Sequence, residues 1–260
     1  MTLDVLAFFA HPDDETMLSG GTLALLANQG ARVHCLIATR GEGGDLGVPP
    51  LATREGLGQV REDELRCAVG ALGLASLTIM DYVDPTVGPD DQLFPFMDDI
   101  DQLAAQLIEA IRAHHAGALI SHGINGEYGH PAHRLVYQAA KLAVHALSDE
   151  APLFYTGAAV FPGHPRPRLA NPDSPADLVI DVHLTLPQKV EAALCYRTQH
   201  DLFTRNTAKD VGHPVSVAET VLTVESLHRV WPPVDQPGPI HDALADLLWA
   251  SGCARLPAAE

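Results

Sequence analysis

The chain predicts an α/β fold: a Rossmann-like, mostly parallel sheet with helices on both faces, in a single domain over residues 1–260. Three observations predict it. Short apolar runs alternate with amphipathic helical spacing through residue 160. Each of the best-marked runs ends abruptly in a polar loop. Glycines or prolines stand where the helices should stop or start.

Leu3 to Phe9 reads as the first strand, and Glu15 to Asn28 as a helix with Leu18, Leu23, Leu25 and Leu26 inward and Gly30 past its end. Arg32 to Ala38 is the second strand. The following stretch, Thr39 to Pro50, is rich in glycine and proline and reads as a loop. Gln59 to Leu72 has helical spacing and stops at Gly73, and Leu74 to Met80 gives a third strand. After an Asp-, Pro- and Gly-rich loop from Asp81 to Pro95, a helix is expected from Met97 to His114. Ala116 to Ser121 is a fourth strand, and the loop His122 to Gly129 leads to a helix opened by Pro131, where the missing N–H costs nothing. Leu153 to Val160 is a fifth strand. Five prolines between Phe161 and Pro175 suggest an irregular surface excursion. Leu178 to Val182 is read as a short strand, Pro187 to Tyr196 as a helix, Thr220 to Val224 as an edge strand and Ile240 to Ala250 as a closing helix.

Sixteen Lys and Arg against 33 Asp and Glu give a formal charge of −17, which repels nucleic acid and anionic membranes. No apolar run reaches the ~20 residues of a membrane span, so a cytoplasmic location is expected. The four cysteines, Cys35, Cys67, Cys195 and Cys253, contain no C-x-x-C pair and are expected to be reduced, with Cys35 in the core. A homo-oligomer is compatible with the sequence.

The chemistry concentrates in two places. Ala10-His11-Pro12-Asp13-Asp14-Glu15 occupies the first strand-to-helix turn, where the G-x-G-x-x-G of a dinucleotide fold is missing. Its acids either cap the helix through the dipole, worth about 0.3–1 kcal/mol each, or bind a metal. Gly126-Glu127-Tyr128-Gly129-His130-Pro131-Ala132-His133 sits at the fourth strand-to-helix transition. His130 and His133 share one face of a first helical turn and either bond to backbone or act as ligands. With His11 and Asp14 they supply the imidazoles and carboxylate of a catalytic zinc site with room for water.

Both boxes resemble those of the LmbE-like, or PIG-L type, N-deacetylases: A-H-P-D-D-E after the first strand and G-H-P-x-H after the fourth. Arg61 with Glu64, followed by Leu72-Gly73, resembles that family's R-x-x-E helix, and Tyr196-Arg197-Thr198-Gln199 its Y/H-R-[ST]-Q segment. The resemblance implies that His11, Asp14 and His133 bind zinc, with Fe2+ or another divalent ion as alternatives. It implies further that Asp13 is the general base and that His130 is the second-site acid or the oxyanion stabiliser; a charged imidazole there would stabilise the tetrahedral oxyanion. Ala132 departs from the commonest box, where an Asp stands.

Tyr128 is either a hydrogen-bond donor to substrate or a residue covering the core. Arg61 is either a substrate anchor or a helix-surface arginine paired with Glu62 or Glu64. Asn125, Glu127 and Arg40 are weaker candidates. Among the remaining histidines, His34, His114, His115 and His145 are read as structural, while His122, His164, His183, His200 and His213 are left outside the metal set. The expected activity is zinc-dependent removal of an acyl group, acetyl above all, from a glucosamine-containing small molecule. A ferrous facial-triad enzyme and a non-catalytic sugar- or metal-binding module are the competing readings.

Overall fold

A computed structural model describes residues 2–234 and 238–258. Its elements in chain order are β1 (Asp4–Phe9), α1 (Asp14–Asn28), β2 (Arg32–Thr39), α2 (Leu57–Leu72), β3 (Ser76–Tyr82), α3 (Ile100–Ala113), β4 (Ala118–Ser121), α4 (Pro131–Leu147) and β5 (Leu153–Gly157). There follow β6 (Ala159–Val160), β7 (Asn171–Pro175), β8 (Leu178–Asp181), α5 (Leu186–Cys195), α6 (His200–Val211), α7 (Val217–Thr220), β9 (Val224–Trp231), α8 (Ala243–Ala250) and β10 (Ala254–Arg255). The main sheet has eight strands in the order β10-β8-β9-β5-β4-β1-β2-β3.

β1 pairs in parallel with β2 on one side and β4 on the other, and β3 and β5 extend the parallel set outward. The direction in which successive strands are added therefore reverses between β1 and β4, and the crevice there is where open α/β sheets bind ligands. Every residue of β1 is buried, as a strand covered on both faces requires. Val5, Ala7 and Phe9 pack towards α1, α2, α5 and α8, while Leu6, Phe8 and Ala10 pack towards α3 and α4. The expected mostly parallel sheet with helices on both faces is the observed one. No described helix is long and apolar enough to cross a membrane.

The last hundred residues depart from expectation. β8, β9 and β10 join the sheet antiparallel beyond β5. The residues read as an edge strand, 220–224, mostly precede β9, which begins at Val224 and lies inside the sheet. Its polar Glu225 and Ser226 are buried and hydrogen-bonded, which hides the strand from an apolar-pattern reading. The proline-rich 161–175 excursion ends in β7, which pairs with β6 just before it in a short two-stranded sheet. α6 is a further unanticipated element, because its sequence is largely polar.

One cysteine expectation is overturned. Cys67 and Cys195 form a disulfide between α2 and the end of α5, with Cα atoms 5.8 Å apart across a sequence separation of 128. The packing of α2 on α5 brings them together, and sequence spacing carries no trace of it. Cys35 is a buried core residue, as expected, and Cys253 is buried and free.

Candidate functional site

The first box leaves the carboxyl end of β1 with an unusual backbone. Asp13 precedes α1 at φ 98°, ψ −29°, a left-handed conformation that non-glycine residues adopt only where surroundings enforce it. Its side chain caps nothing. Two neighbours hold the turn: Asp14 Oδ2 accepts the His11 backbone N–H at 2.9 Å, and Glu15 Oε2 accepts the Asp13 N–H at 3.0 Å. Glu15 is fully buried, and its other oxygen accepts the hydroxyls of Thr16 and Tyr196. Burial pushes its carboxyl up to about 7. The acids of this turn thus fold back on the loop, and helix capping is a poor description of them.

Asp13 faces Arg61 across 2.9 Å. That arginine is buried rather than on the helix surface, and it makes no pair with Glu62 or Glu64. It donates to Asp13 Oδ2, to the Pro12 carbonyl at 2.5 Å and to the Gly41 carbonyl at 3.0 Å. Gly41 has φ +67°, and a Cβ there would stand 2.1 Å from the Arg61 guanidinium. Arg61 is therefore a clamp on the base-box loop. Burial pushes the Asp13 carboxyl up to about 8 against the pull of Arg61. Glu64 accepts both the backbone N–H and the hydroxyl of Thr198, at 2.8 and 2.7 Å, which ties α2 to the Tyr196–Gln199 segment.

The second box leaves β4, adjacent to β1, and comes to the same edge. Glu127, itself at φ 56°, is the organiser of this half. Its Oε2 receives His133 Nδ1 at 2.6 Å and His122 Nδ1 at 3.1 Å. Its Oε1 accepts from Gly123 N–H and from Asn171 in β7. Burial raises the carboxyl, but the imidazoles of His122 and His133 hold it well below the usual range.

These bonds decide which histidine nitrogens remain for a ligand. Two groups of three side chains offer donor atoms within 4.8 Å of one another: His11, His130 and His133, and Asp14, His122 and His133. The expected set of His11, Asp14 and His133 straddles both. His122 has no nitrogen to spare, since Nε2 accepts the Ala10 N–H at 3.1 Å and Nδ1 faces Glu127. His130 uses Nδ1 to accept the Ala132 N–H at 3.2 Å, leaving Nε2 as its protonated side. By contrast, His11 Nε2 and His133 Nε2 are buried with no hydrogen-bond partner. Asp14 lies beside both rings, with Oδ2 3.1 Å from His11 Nδ1 and Oδ1 3.3 Å from His133 Nε2. Two orphaned imidazole nitrogens beside a buried carboxylate fit a divalent cation. Glu127 behind His133 supplies the carboxylate that fixes a ligating tautomer.

His130 stacks on His133 with ring centroids 4.4 Å apart. Burial and the neighbouring rings of His133 and His11 push its pKa down. Tyr128 is half exposed, its ring 5.5 Å from that of His133. Asp84, in the loop after β3, comes within 3.3 Å of His11 Nε2. Sequence reading singled out neither Asp84 nor the anchoring role of His122. Asp84 stands in a segment crowded with aspartates, and the partners of His122 are fixed only by the fold. Asn125 bonds Asp173 and Arg40 bonds Glu62, and neither lines the cavity. His11, Asp13, Asp14, Arg61, Tyr128, His130 and His133 border one cavity of about 690 Å³, walled also by the 43–45 and 84–94 loops, by 166–169 and by α6.

Comparisons with known proteins agree with this geometry. The model of the GlcNAc-PI de-N-acetylases (PIG-L) matches residues 6–144. A 1D-myo-inositol 2-acetamido-2-deoxy-alpha-D-glucopyranoside deacetylase of Thermobispora bispora is 35% identical over 156 residues, 54% of this chain and 52% of the relative. The enzyme of that name from Acidothermus cellulolyticus is 33% identical over 171 residues, 61% of this chain and 59% of the relative. The chain thus spans about half the length of the curated relatives it matches. Among solved structures, an N,N'-diacetylchitobiose deacetylase from Pyrococcus horikoshii superposes with a TM-score of 0.59 at 16% identity, covering 87% of this chain and 83% of that one. A 4-carboxy-2-hydroxymuconate hydratase from Pseudomonas putida KT2440 superposes with 0.60 at 21% identity, covering 90% and 99%. These two likenesses establish the fold alone. With more than half its length matched, the chain belongs to the PIG-L, or LmbE-like, family.

Proposed function

We propose that this family member is a zinc-type metal-dependent hydrolase that removes an N-acetyl group from a glucosamine-containing small molecule. The observation that carries the reading is the pair of buried nitrogens without a hydrogen bond, His11 Nε2 and His133 Nε2, each 3.3 Å from a carboxylate oxygen, of Asp84 and Asp14 respectively, and next to the arginine-clamped Asp13. His11, Asp14 and His133 would hold the ion. When bound, it supplies a Lewis acid and lowers the pKa of water towards neutrality.

The residues of the chain account for the remaining steps. Asp13, oriented by Arg61, would accept the proton of the attacking water. The water oxygen bonds to the amide carbon, the C–N bond breaks, and Asp13 returns the proton to the departing amine. His130, protonated at Nε2, donates to the oxyanion that develops at the carbonyl. Arg61 orients Asp13, and Glu15 with Tyr196 holds the turn that presents it. Tyr128, at the cavity wall, is placed to contact the sugar.

The test is amine release from N-acetylglucosamine glycosides by protein of measured metal content. The expected results are release that chelation abolishes and zinc restores, and loss of both metal and release in His11→Ala. Full metal content in His11→Ala would remove that residue from the ligand set. No release from any glycoside by metal-loaded protein would sink the deacetylase reading.

A further inference from the structure

The Cys67–Cys195 disulfide stands outside the cavity, at the outer end of a row of contacts that leads into it. Arg61, Glu64 and Cys67 recur every three residues along α2 and so follow one another along one side of that helix. Each reaches across to a different part of the site's support. Cys67 is bonded to Cys195, Glu64 accepts the backbone N–H and the hydroxyl of Thr198, and Arg61 clamps Asp13. The chain after Cys195 is equally committed. Tyr196 donates to Glu15 behind the Asp13 turn, and Gln199 Nε2 donates to the Asp45 carbonyl in the cavity wall at 3.0 Å. Residues 196–199 are the short connection between α5 and α6, and the disulfide fixes the end at which they leave α5.

Exposure sets this bond apart from a structural staple. Cys67 is exposed and Cys195 half-buried, whereas the two free cysteines, Cys35 and Cys253, are both buried. A chain of 260 residues with a core on both sheet faces is far above the size at which cross-links become necessary. Glu64 already ties α2 to the same connection without it. Disulfides that solvent can reach are the labile class, open to thiol exchange.

We infer that Cys67–Cys195 is a reversible thiol-exchange site that sets the activity of the enzyme. Closed, it holds the 196–199 connection against α2 and keeps Asp13 aimed; open, it lets that connection slacken. The reductant is a dithiol, free or carried by a protein. One of its thiolates attacks Cys67 Sγ, the S–S bond breaks, and Cys195 leaves as a thiolate that takes a proton. The second thiolate then attacks the reductant's own sulfur in the mixed disulfide and expels Cys67, which is protonated in turn. The protein has gained two electrons and two protons, and the reductant ends as a disulfide. Glu64 stays bonded to Thr198 throughout, so opening costs alignment and not metal. The effect on turnover rests on the deacetylase reading above.

In the experiment the protein is reduced with dithiothreitol, desalted without oxygen and reloaded with zinc, and one portion is reoxidised with oxidised glutathione. Thiols titrated on the native protein should number none in the oxidised form, since its free cysteines are buried, and two in the reduced form. At a temperature where both forms are fully folded, reduction should lower kcat several-fold, because a misaimed group loses rate steeply. KM and metal content should not move, amide hydrogen exchange of residues 196–199 should quicken, and reoxidation should restore all of it. Cys67→Ser/Cys195→Ser should match the reduced protein and ignore both reagents; the reduced parent reports the same state if that variant folds poorly. An unaltered or raised kcat after reduction overturns the inference, as does a bond that yields no thiols until the protein unfolds, or a response that survives in the double variant. No release of amine by either form removes the deacetylase reading. Hydrogen exchange then decides the device by itself, faster exchange on reduction upholding it and equal exchange overturning it.

Discussion

The two halves of the sheet do different work. From β1 to β5 the strands are parallel, and the loops at their carboxyl ends supply the groups assigned to the reaction: His11, Asp13, Asp14, His130 and His133. After β6 the strands added to the main sheet, β8 to β10, are antiparallel, and this later part of the chain supplies supports. Asn171 bonds Glu127, Tyr196 bonds Glu15, Thr198 bonds Glu64, and Glu225 accepts the backbone N–H groups of Gly21 and Thr22 in α1. The first two contacts reach residues that hold His133 and the Asp13 turn, and the other two tie down the helices that carry Arg61 and Asp14. The comparison teaches that the reactive boxes are short and local, while their geometry is imposed from residues 44 to 204 positions away.

The largest effect should come from the first half. Asp13→Asn removes the proposed proton acceptor while keeping shape and the Arg61 contact. Turnover should fall by about 10²- to 10⁴-fold, with metal content, measured by elemental analysis, unchanged. Retained turnover would move the base elsewhere. Loss of metal would mean that Asp13 belongs to the ligand set.

The sharpest break of the second half is Lys189→Met. Lys189 is fully buried, 2.6 Å from Glu225 and bonded to the Leu222 carbonyl. Removing it strands a buried carboxylate, at a cost of about 3–5 kcal/mol, read from urea unfolding. Lys189→Met/Glu225→Gln should recover part of that loss, because the amide keeps an acceptor for one N–H of α1 without the charge. If the single variant unfolds at the same urea concentration as the parent, the support role of β9 is wrong.

Where the halves meet, Glu127→Gln tests the anchor. Glu127 holds His133 and His122 from one half and Asn171 from the other. The amide loses one full acceptor and its charge, so metal affinity in a competition titration should fall about 10- to 100-fold. Unchanged affinity would show that His133 is oriented without it.

How much of this was legible in the sequence follows the same division. β1, β2 and β4 were readable because doubly covered strands must be apolar throughout, and the two boxes because their residue types are needlessly specific for caps. β9 was misplaced because its buried Glu225 is tolerable only with Lys189 and two α1 amides as partners, all remote in sequence. Arg61 was legible as a candidate but not in its direction, since its bonds go to Pro12, Asp13 and Gly41 rather than to acids on its own helix. His122 looked like any loop histidine, because only the approach of β1 to β4 gives its Nε2 the Ala10 N–H. The Cys67–Cys195 bond was invisible for the same reason.

The smallest effect, and the most discriminating, is expected at Tyr196→Phe. The hydroxyl is buried, donates to Glu15, and touches none of the candidate ligands. Its loss leaves Glu15 with the Thr16 hydroxyl and the Asp13 N–H, so the chain should lose only about 1–3 kcal/mol of stability. A purely structural tyrosine would stop there. If the second half sets the geometry of the first, kcat should also fall several-fold at a temperature where the variant is fully folded. KM and metal content should stay as they were, because the substitution loosens the turn that aims Asp13 and not the ligands or the cavity wall. A variant with lowered stability and an unaltered kcat would confine the second half to holding the fold together, and would detach the Glu15–Tyr196 contact from the chemistry.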